Sequence, residues 1–140
     1  MRTYGRSLIA GTALLAAVLS LGAISASAAS PVKITNCFKA SSRPKQVVLT
    51  CGDANTALSK LTWSSFGGAS ASAMGTFEMN TCSPNCAAGK FVKYPVKVMA
   101  SSTRACKGGL RVYNKLTLQF TARKPPSSSR LKSWTLGCPT

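Results

Sequence analysis

Six cysteines are the feature that most constrains how this chain can fold. In chain order they are Cys37, Cys51, Cys82, Cys86, Cys106 and Cys138. An even number of cysteines in a short exported chain predicts a disulfide framework rather than catalytic or metal chemistry. The alternative is a zinc site built on Cys82, Cys86 and two other thiolates. The chain has no His, the Cys82–Cys86 spacing is wider than that of the usual zinc knuckle, and oxidising conditions disfavour free thiols. We therefore predict no metal and no cofactor.

The N-terminal segment predicts export. Arg2 and Arg6 form a positively charged start, an apolar run follows, and Ala26-Ser27-Ala28 fits the small-residue cleavage rule. The alternative is an uncleaved transmembrane anchor, because the apolar run approaches the length that spans a bilayer. A cleavage site at the expected distance favours removal of the segment. We therefore predict a signal peptide at 1–28 and a single secreted, extracellular β domain at 29–140.

Six cysteines allow many pairings, and the sequence does not exclude the others. The preferred set is Cys37–Cys51, Cys82–Cys86 and Cys106–Cys138. The first pair flanks the turn at Ser41–Pro44, so a hairpin there would bring the two thiols side by side. The second pair encloses the turn-forming triplet Ser83–Asn85. The third pair is what remains.

No part of the mature chain has a sustained helical period. Alternating or β-branched runs recur instead, separated by Gly, Ser and Pro. The predicted strands cover 32–35, 46–50, 60–65, 73–79, 91–99, 110–122 and 131–136. The predicted loops cover 67–72, 87–90, 101–109, which includes a tight turn at Gly108-Gly109, and 124–129. Strands of this length and spacing predict an all-β fold, a small antiparallel β-sandwich or barrel with disulfides.

Two local features qualify this pattern. Ala54–Ser59 is the one place where a helical turn could form, with Asp53 as its N-cap. Pro95 predicts an edge position or a bulge for its strand, because proline cannot donate a ladder hydrogen bond.

Five segments of the mature chain carry a family resemblance. They are Val48–Asn55, Leu61–Gly67, Gly75-Thr76, Asn80–Gly89 and Tyr94–Val98. In this order, and over roughly half of the mature chain, they resemble a family of small secreted actinobacterial proteins of unassigned activity. The most specific part is the Cys-x-Pro-x-Cys-Ala-x-Gly element, and Phe66 stands where the family often has Trp. The resemblance implies a secreted, all-β, cystine-bearing domain and supplies no catalytic residues.

Positive charge dominates the surface chemistry. The chain has 18 Lys and Arg against 2 Asp and Glu, a net charge of +16, and loss of Arg2 and Arg6 leaves +14 on the mature domain. Solubility alone would need a net charge of about 2–8, whereas a larger field attracts polyanions. We expect non-sequence-specific binding of anionic envelope or extracellular matter, namely phosphate-bearing polymers, anionic lipid headgroups or DNA. The candidate residues are Lys93, Lys97, Arg111, Lys115, Arg123, Lys124, Arg130 and Lys132.

Aromatic side chains could assist such binding by stacking on bases or sugar rings. The candidates are Trp63, Phe66, Phe91, Tyr94, Tyr113 and Trp134. Core packing is the competing interpretation, and we expect it for Trp63 and Phe120.

Two alternative functions compete with polyanion binding. A glycosidase-like hydrolase would need a pair of carboxylates, and Asp53 and Glu78 are the one pair that the chain offers. Capping of a turn by Asp53 and pairing of Glu78 with a lysine explain the same residues without catalysis. A protease-inhibitor-like module would present Arg104 on a Ser-rich loop tethered by Cys106. Because the chain lacks His, the commonest general base, we predict a protein that is not an enzyme and has no catalytic residues.

Overall fold

A computed structural model describes residues 30–126 and 128–140, so the predicted signal peptide at 1–28 lies outside the described residues. The described chain forms eight strands and two short 3₁₀ turns, Lys107–Gly109 and Arg130–Lys132. The strands are β1 (Val32–Asn36), β2 (Lys39–Ser41), β3 (Val47–Val48), β4 (Thr56–Ser65), β5 (Ser70–Asn80), β6 (Phe91–Ala105), β7 (Arg111–Phe120) and β8 (Ser133–Thr135).

All eight strands belong to one sheet that curls into a half-barrel. Their order is β2-β1-β7-β6-β5-β4-β3, and β8 pairs with β7. β1 runs parallel to the start of β7, whereas every other pair is antiparallel, which makes the sheet mixed. The all-β, disulfide-bonded class predicted from the sequence is confirmed.

Alternation along the strands separates the core from the surface. On β6, Tyr94, Val96, Val98 and Ala100 are buried, and the residues between them are exposed. This is the period of two that a strand with one buried face requires. Full burial of a side chain such as valine contributes about 1.5–3 kcal/mol, so the inner faces of the long strands stabilise the curl.

Two aromatic groups fill opposite ends of the interior. At one end, Phe77 packs edge-on against Phe120 at 5.4 Å, beside Tyr94. At the other end, Phe66 lies between Trp63 and Tyr113, with ring centroids 5.0 and 5.7 Å away. These contacts place Trp63 and Phe120 against the core, as predicted. Of the six candidate stacking residues, Tyr94 and Tyr113 are buried, Trp63, Phe66 and Trp134 are half-buried against the core, and Phe91 is exposed.

A bulge in β4 bends the sheet. Lys60 and Leu61 together face the single residue Gly75, and Lys60 adopts a left-handed backbone with φ of 52°. The extra residue brings Leu61 into the core together with Leu58, although the two are three positions apart. Gly75 is required here, because a Cβ would lie 2.9 Å from the backbone carbonyl oxygen of Ser59.

The predicted helical turn at Ala54–Ser59 is wrong. Thr56–Ser59 pair with β5 as the start of β4, and Leu58 is fully buried. Asp53 does not cap a helix; its carboxylate accepts hydrogen bonds from the backbone N–H and the side-chain amide of Asn55, at 3.1 and 2.9 Å. A ladder with β5 and a buried leucine outweighed the local capping preference.

No bulge forms at Pro95, whereas the alternative prediction, an edge position, is confirmed locally on the β7 side. Pro95 lies in β6, the strand between β5 and β7, and faces Thr76 in an uninterrupted ladder. The Pro95 carbonyl accepts a hydrogen bond from the backbone N–H of Thr121, on the β7 side. Because the nitrogen and carbonyl of one strand residue point to the same side, the proline nitrogen, which has no hydrogen to donate, also faces β7. The last β6–β7 pair is Val96 with Phe120, so proline lies where that ladder has ended and costs no strand hydrogen bond.

Other boundaries also differ from the sequence prediction. The start of the predicted loop at 101–109 is strand, because β6 continues to Ala105 by pairing with β7, whereas the turn at Gly108-Gly109 is confirmed by φ values of 69° and 74°. The short β2 was not predicted, and Arg130–Lys132 at the start of the last predicted strand forms a 3₁₀ turn.

All three preferred disulfides are confirmed: Cys37–Cys51, Cys82–Cys86 and Cys106–Cys138. The reason given for the first is wrong, because β2 pairs with β1 and β3 with β4 rather than with each other. Cys37–Cys51 instead joins the two ends of the curled sheet. Beside it, the Asn36 amide accepts from the Val48 N–H at 2.9 Å and donates to the Gln46 carbonyl at 3.3 Å. One side chain and one cystine thus bridge the seam between β1 and β3.

The segment Asn80–Gly89, which contains the Cys-x-Pro-x-Cys-Ala-x-Gly element, is organised by Asn80. The Asn80 side chain accepts from the Cys82 N–H at 3.0 Å and donates to the Cys86 carbonyl at 2.8 Å. A Cβ at Gly89 would lie 2.1 Å from Asn80 Oδ1, so only glycine fits beside this amide. Asn80 and the Cys-x-Pro-x-Cys-Ala-x-Gly element together therefore determine the conformation of the β5–β6 loop.

Candidate anion-binding face

No element of residues 30–126 and 128–140 covers the side of β5, β6 and β7 that points away from the core, and we call this side the outer face. It comprises Ser72, Met74, Thr76 and Glu78 on β5, Phe91, Lys93, Pro95, Lys97, Met99 and Ser101 on β6, and Lys115, Thr117 and Gln119 on β7. These residues alternate along their strands with the buried residues of the core. The outer face is therefore a direct consequence of strand periodicity.

Strand register decides which outer-face side chains meet. Lys97 stands between Met74 on β5 and Gln119 on β7. In the next row, Met99 stands between Ser72 and Thr117. Directly opposed side chains in an antiparallel pair have Cβ atoms about 4.5–5.5 Å apart, so each row forms a contact unit.

A hollow lies where the two rows adjoin. It has a volume of about 80 Å³ and is lined by Lys97, Met99, Thr117 and Gln119. An ammonium group, a hydroxyl and a side-chain amide supply hydrogen-bond donors, which suits an acceptor-rich anion. Sites for drug-sized molecules occupy about 300–1,000 Å³. The hollow therefore matches a single phosphate or sulfate group rather than a whole sugar or base.

Two further lysines extend the positive charge along the outer face. Lys93 precedes Lys97 by four residues on β6, and Lys115 pairs with Ser101, four residues beyond Lys97. Four strand residues span about 14 Å, so the three ammonium groups lie in a spaced row rather than in contact. Lys93 also forms an ion pair of 3.7 Å with Glu78, which offsets part of its charge.

Away from Lys93, the positive side chains of the described residues form no ion pair with an acidic side chain. In the part of the chain that the structure describes, Lys93–Glu78 is the one ion pair between side chains. Asp53, the other acid, is exposed in a turn and hydrogen-bonded to Asn55. The other lysines and arginines of residues 30–126 and 128–140 therefore contribute to the external field without an acidic side chain beside them.

The other five predicted anion-binding residues do not join this row. Arg111 lies at the hairpin end of β7, where it donates to the Thr103 hydroxyl at 2.8 Å. The Arg123 guanidinium lies 5.1 Å from the centroid of the Tyr94 ring. The remaining three are exposed outside the strands: Lys124, Arg130 and Lys132. Lys132 directly precedes Ser133, the β8 residue that pairs with Thr117.

The two carboxylates of the hydrolase hypothesis occupy different environments. Hydrogen bonds hold the pKa of Asp53 below its usual value, the backbone N–H of Asn55 being the main cause, so this group is poorly suited to act as a general acid. Glu78 accepts a hydrogen bond of 2.6 Å from the Ser59 hydroxyl and pairs with Lys93. Neither carboxylate lines any of the three cavities described in this section.

The inhibitor hypothesis required Arg104 on a loop. Arg104 is instead paired with Val112 inside the β6–β7 ladder, and its guanidinium lies 3.4 Å from the Asn114 side-chain oxygen. The predicted Ser-rich loop at 101–106 is therefore a strand end followed by Cys106.

Two larger clefts adjoin the Cys106–Cys138 disulfide. One, of about 290 Å³, lies at the β1–β3 seam beside the exposed Phe38, and none of its lining residues is Lys, Arg, Asp or Glu. The other, of about 590 Å³, has Lys107 as its one charged side chain. Both clefts are larger than the hollow on the outer face. Neither is lined by a Lys or Arg together with a side-chain hydroxyl and a side-chain amide.

Sequence reasoning found Lys93, Lys97 and Lys115 but missed the neutral residues around them. Met74, Met99 and Thr117 have no distinctive spacing, and only the β5–β6–β7 register brings them beside Lys97. Alternation did place Gln119 on the same side as Lys115, a weak signal that was available from the sequence.

Comparison of the chain with protein-family models, curated proteins and solved structures finds no match. Within the described residues, no group of three or more His, Cys, Asp or Glu is placed to hold a metal ion. The same residues contain no helix with the length and apolar character needed to cross a membrane. The three disulfides indicate an oxidising environment.

Proposed function

We propose that this chain is a secreted, basic binding protein that engages anionic polymers or anionic surfaces outside the cell. The observation that carries the proposal is the outer face, where Lys97, Met99, Thr117 and Gln119 line a hollow of phosphate size. Lys93 and Lys115 extend its charge on either side. The disulfides and the N-terminal segment support an extracellular setting. We also propose that the resemblance to small secreted actinobacterial proteins reflects the same extracellular setting.

The chemistry proposed is ionic and hydrogen-bonding rather than catalytic. Lys97 would pair with a phosphate oxygen, while the Thr117 hydroxyl and the Gln119 amide donate to the others. Lysines spaced by about 14 Å would meet separate, non-adjacent charges of an extended ligand. Such binding has little sequence preference and weakens steeply with salt.

A charge-matched pair of variants tests the proposal. The outer-face variant carries Lys93→Gln, Lys97→Gln and Lys115→Gln, and the control variant carries Lys39→Gln, Lys45→Gln and Lys107→Gln. All six lysines are exposed, so both variants lose three positive charges from the surface. The measurement is the affinity of the mature, oxidised protein for a short duplex DNA, used as a phosphate polymer, over a series of NaCl concentrations.

We expect the outer-face variant to bind more than tenfold more weakly at low salt and the control to change by less than threefold. Each lost phosphate contact lowers the slope of log K against log salt by about 0.9, so the outer-face slope should fall by about 2–3. Equal weakening of both variants would contradict a specific face and would favour the solubility interpretation of the charge.

A further inference from the structure

The outer face carries apolar side chains as well as cations. Among the described residues, four large hydrophobic side chains are markedly exposed: Phe38, Met74, Phe91 and Met99. Three of the four belong to the outer face, with exposed fractions of 50% for Met74, 48% for Phe91 and 47% for Met99. Single exposed hydrophobic residues need no explanation, but three on one charged face call for one.

These apolar side chains are interleaved with the lysines. Met74 is directly opposite Lys97, and Met99 follows Lys97 on the same side of β6. Phe91 and Lys93 are next to each other on that side at the start of β6. Duplex DNA keeps its bases stacked inside, so it offers Phe91 no free base and offers the methionines little to bury against. A lipid surface offers anionic headgroups and, a few ångströms deeper, hydrocarbon.

We propose that the outer face binds the interface of an anionic lipid bilayer, an inference that rests on the proposed function and names its ligand class. The ammonium groups of Lys93, Lys97 and Lys115 pair with lipid phosphates, and one phosphate occupies the hollow beside Thr117 and Gln119. Met74, Met99 and Phe91 enter the boundary between headgroups and acyl chains. The long aliphatic stems of the lysines allow both contacts at once.

The complementarity is both electrostatic and geometric. The face is a continuous three-stranded surface with Glu78 as its one acid, and Glu78 is already paired with Lys93. Each Lys near an anionic membrane raises affinity by roughly fivefold, and apolar contacts add to this only when hydrocarbon is accessible. Lipid binding therefore needs both kinds of residue, whereas binding to a phosphate polymer needs the lysines alone.

Vesicle binding by matched variants separates the two ligand classes. The probes are vesicles of phosphatidylglycerol and phosphatidylcholine in equal parts, vesicles of phosphatidylcholine alone, and the short duplex DNA. The apolar variant carries Met74→Ser and Phe91→Ser, neither of which lines the hollow, and its control carries Phe38→Ser, the exposed hydrophobic residue outside this face. A conservative variant with Met74→Leu and Phe91→Leu controls for misfolding, and co-flotation with the vesicles gives the bound fraction.

We expect wild type and Phe38→Ser to bind the anionic vesicles and to bind phosphatidylcholine at least tenfold more weakly. The serine variant should bind anionic vesicles about tenfold more weakly and DNA unchanged, and the leucine variant should retain vesicle binding. Unchanged vesicle binding by the serine variant would overturn the lipid proposal, as would equal losses on vesicles and DNA. A wild-type dimer that the serine substitutions convert to a monomer would make the face a self-association surface and would also overturn it.

The test also distinguishes the lipid proposal from the proposed function. If DNA binding depends on Lys93, Lys97 and Lys115 but vesicle binding is unchanged in Met74→Ser/Phe91→Ser, the polymer-binding function stands and the lipid assignment fails. If removal of the three lysines leaves binding to both probes unchanged, the proposed function itself fails.

Discussion

The four long strands β4–β7 and the short segments around them are held together in different ways. β5 and β6 pair without interruption from Ser70–Ser101 to Asn80–Phe91, and most residues of their inner faces are buried. By contrast, β3 has two residues, and β1 pairs with β7 at only two positions, Val32–Arg111 and Lys33–Val112. All six cysteines lie outside the strands. Long ladders thus stabilise the centre, whereas covalent and side-chain bridges hold the periphery.

Replacement of Phe77 by Ala tests the centre and should have the largest effect. Phe77 is fully buried on β5 and packs against Phe120 and Tyr94. Loss of a buried phenyl ring leaves a cavity and costs about 3–5 kcal/mol. Urea unfolding of the oxidised protein measures the loss, with Phe38→Ala as an exposed control. Similar losses for both variants would contradict a core centred on these strands.

Removal of the Cys106–Cys138 bridge tests the periphery and comes next. This cystine ties the end of β6 to the C-terminal segment across a sequence separation of 32, against 4 for Cys82–Cys86. In the chain-entropy description, the longer loop stabilises by about 3.5 kcal/mol and the shorter by about 2 kcal/mol. Double Cys→Ser variants of each bridge, compared by urea unfolding, should show this order. A larger loss of unfolding free energy on removal of Cys82–Cys86 than on removal of Cys106–Cys138 would contradict this order.

Asn36→Ala tests the seam and should have a smaller effect. The change removes the amide that bonds to Gln46 and Val48, leaving the Val48 N–H of β3 and the Gln46 carbonyl just before it without that partner. We expect a loss of about 1–2 kcal/mol and faster hydrogen exchange at the Val48 amide. Asn36→Asp retains an acceptor for that amide and should protect it in part. Unchanged Val48 exchange in Asn36→Ala would show that Cys37–Cys51 holds the seam alone.

The pH dependence of the Asp53 turn should be the smallest effect. Hydrogen bonds from Asn55 lower the pKa of Asp53 from its usual 3.8, so the folded state favours the ionised group. Its contribution is present above the unfolded-state pKa and is lost as pH falls through the lower folded-state pKa. The difference in Tm between wild type and Asp53→Ala should therefore shrink in acid. A difference that widens as pH falls below 3.8 would contradict this sign.

The long central strands and the periphery also differ in their functional features, because the candidate site lies on the central strands. The outer face lies on the best-paired strands, so Lys97 and Thr117 are positioned by a rigid ladder rather than by a loop. The clefts in the periphery lie beside cystines and are poor in charge. The best-paired part of the fold therefore presents the proposed anion site, and the tethered part closes the core.

Whether a feature could be predicted depends on how far apart in the sequence its interacting residues lie. Strand periodicity is local, so the runs around Val96 and Leu118 were assigned to strands correctly. Short loops made Cys82–Cys86 predictable from the turn between its thiols. Pro95 indicated an edge but not that the edge is local, because this depends on where β7 ends. Thr56–Ser59 was assigned wrongly because a partner strand decided its conformation.

By itself, the sequence determined the all-β class, the cystine-rich build and the excess of positive charge, because composition and a period of two are properties of the chain alone. Only the tertiary structure decided that Lys97 meets Thr117 and Gln119, that Met74 and Met99 stand beside it, and that Asn36 bridges the seam. These arrangements depend on register and curl. Both are set by contacts between segments that lie far apart in the sequence, and a shift of one residue would turn the same side chains inward.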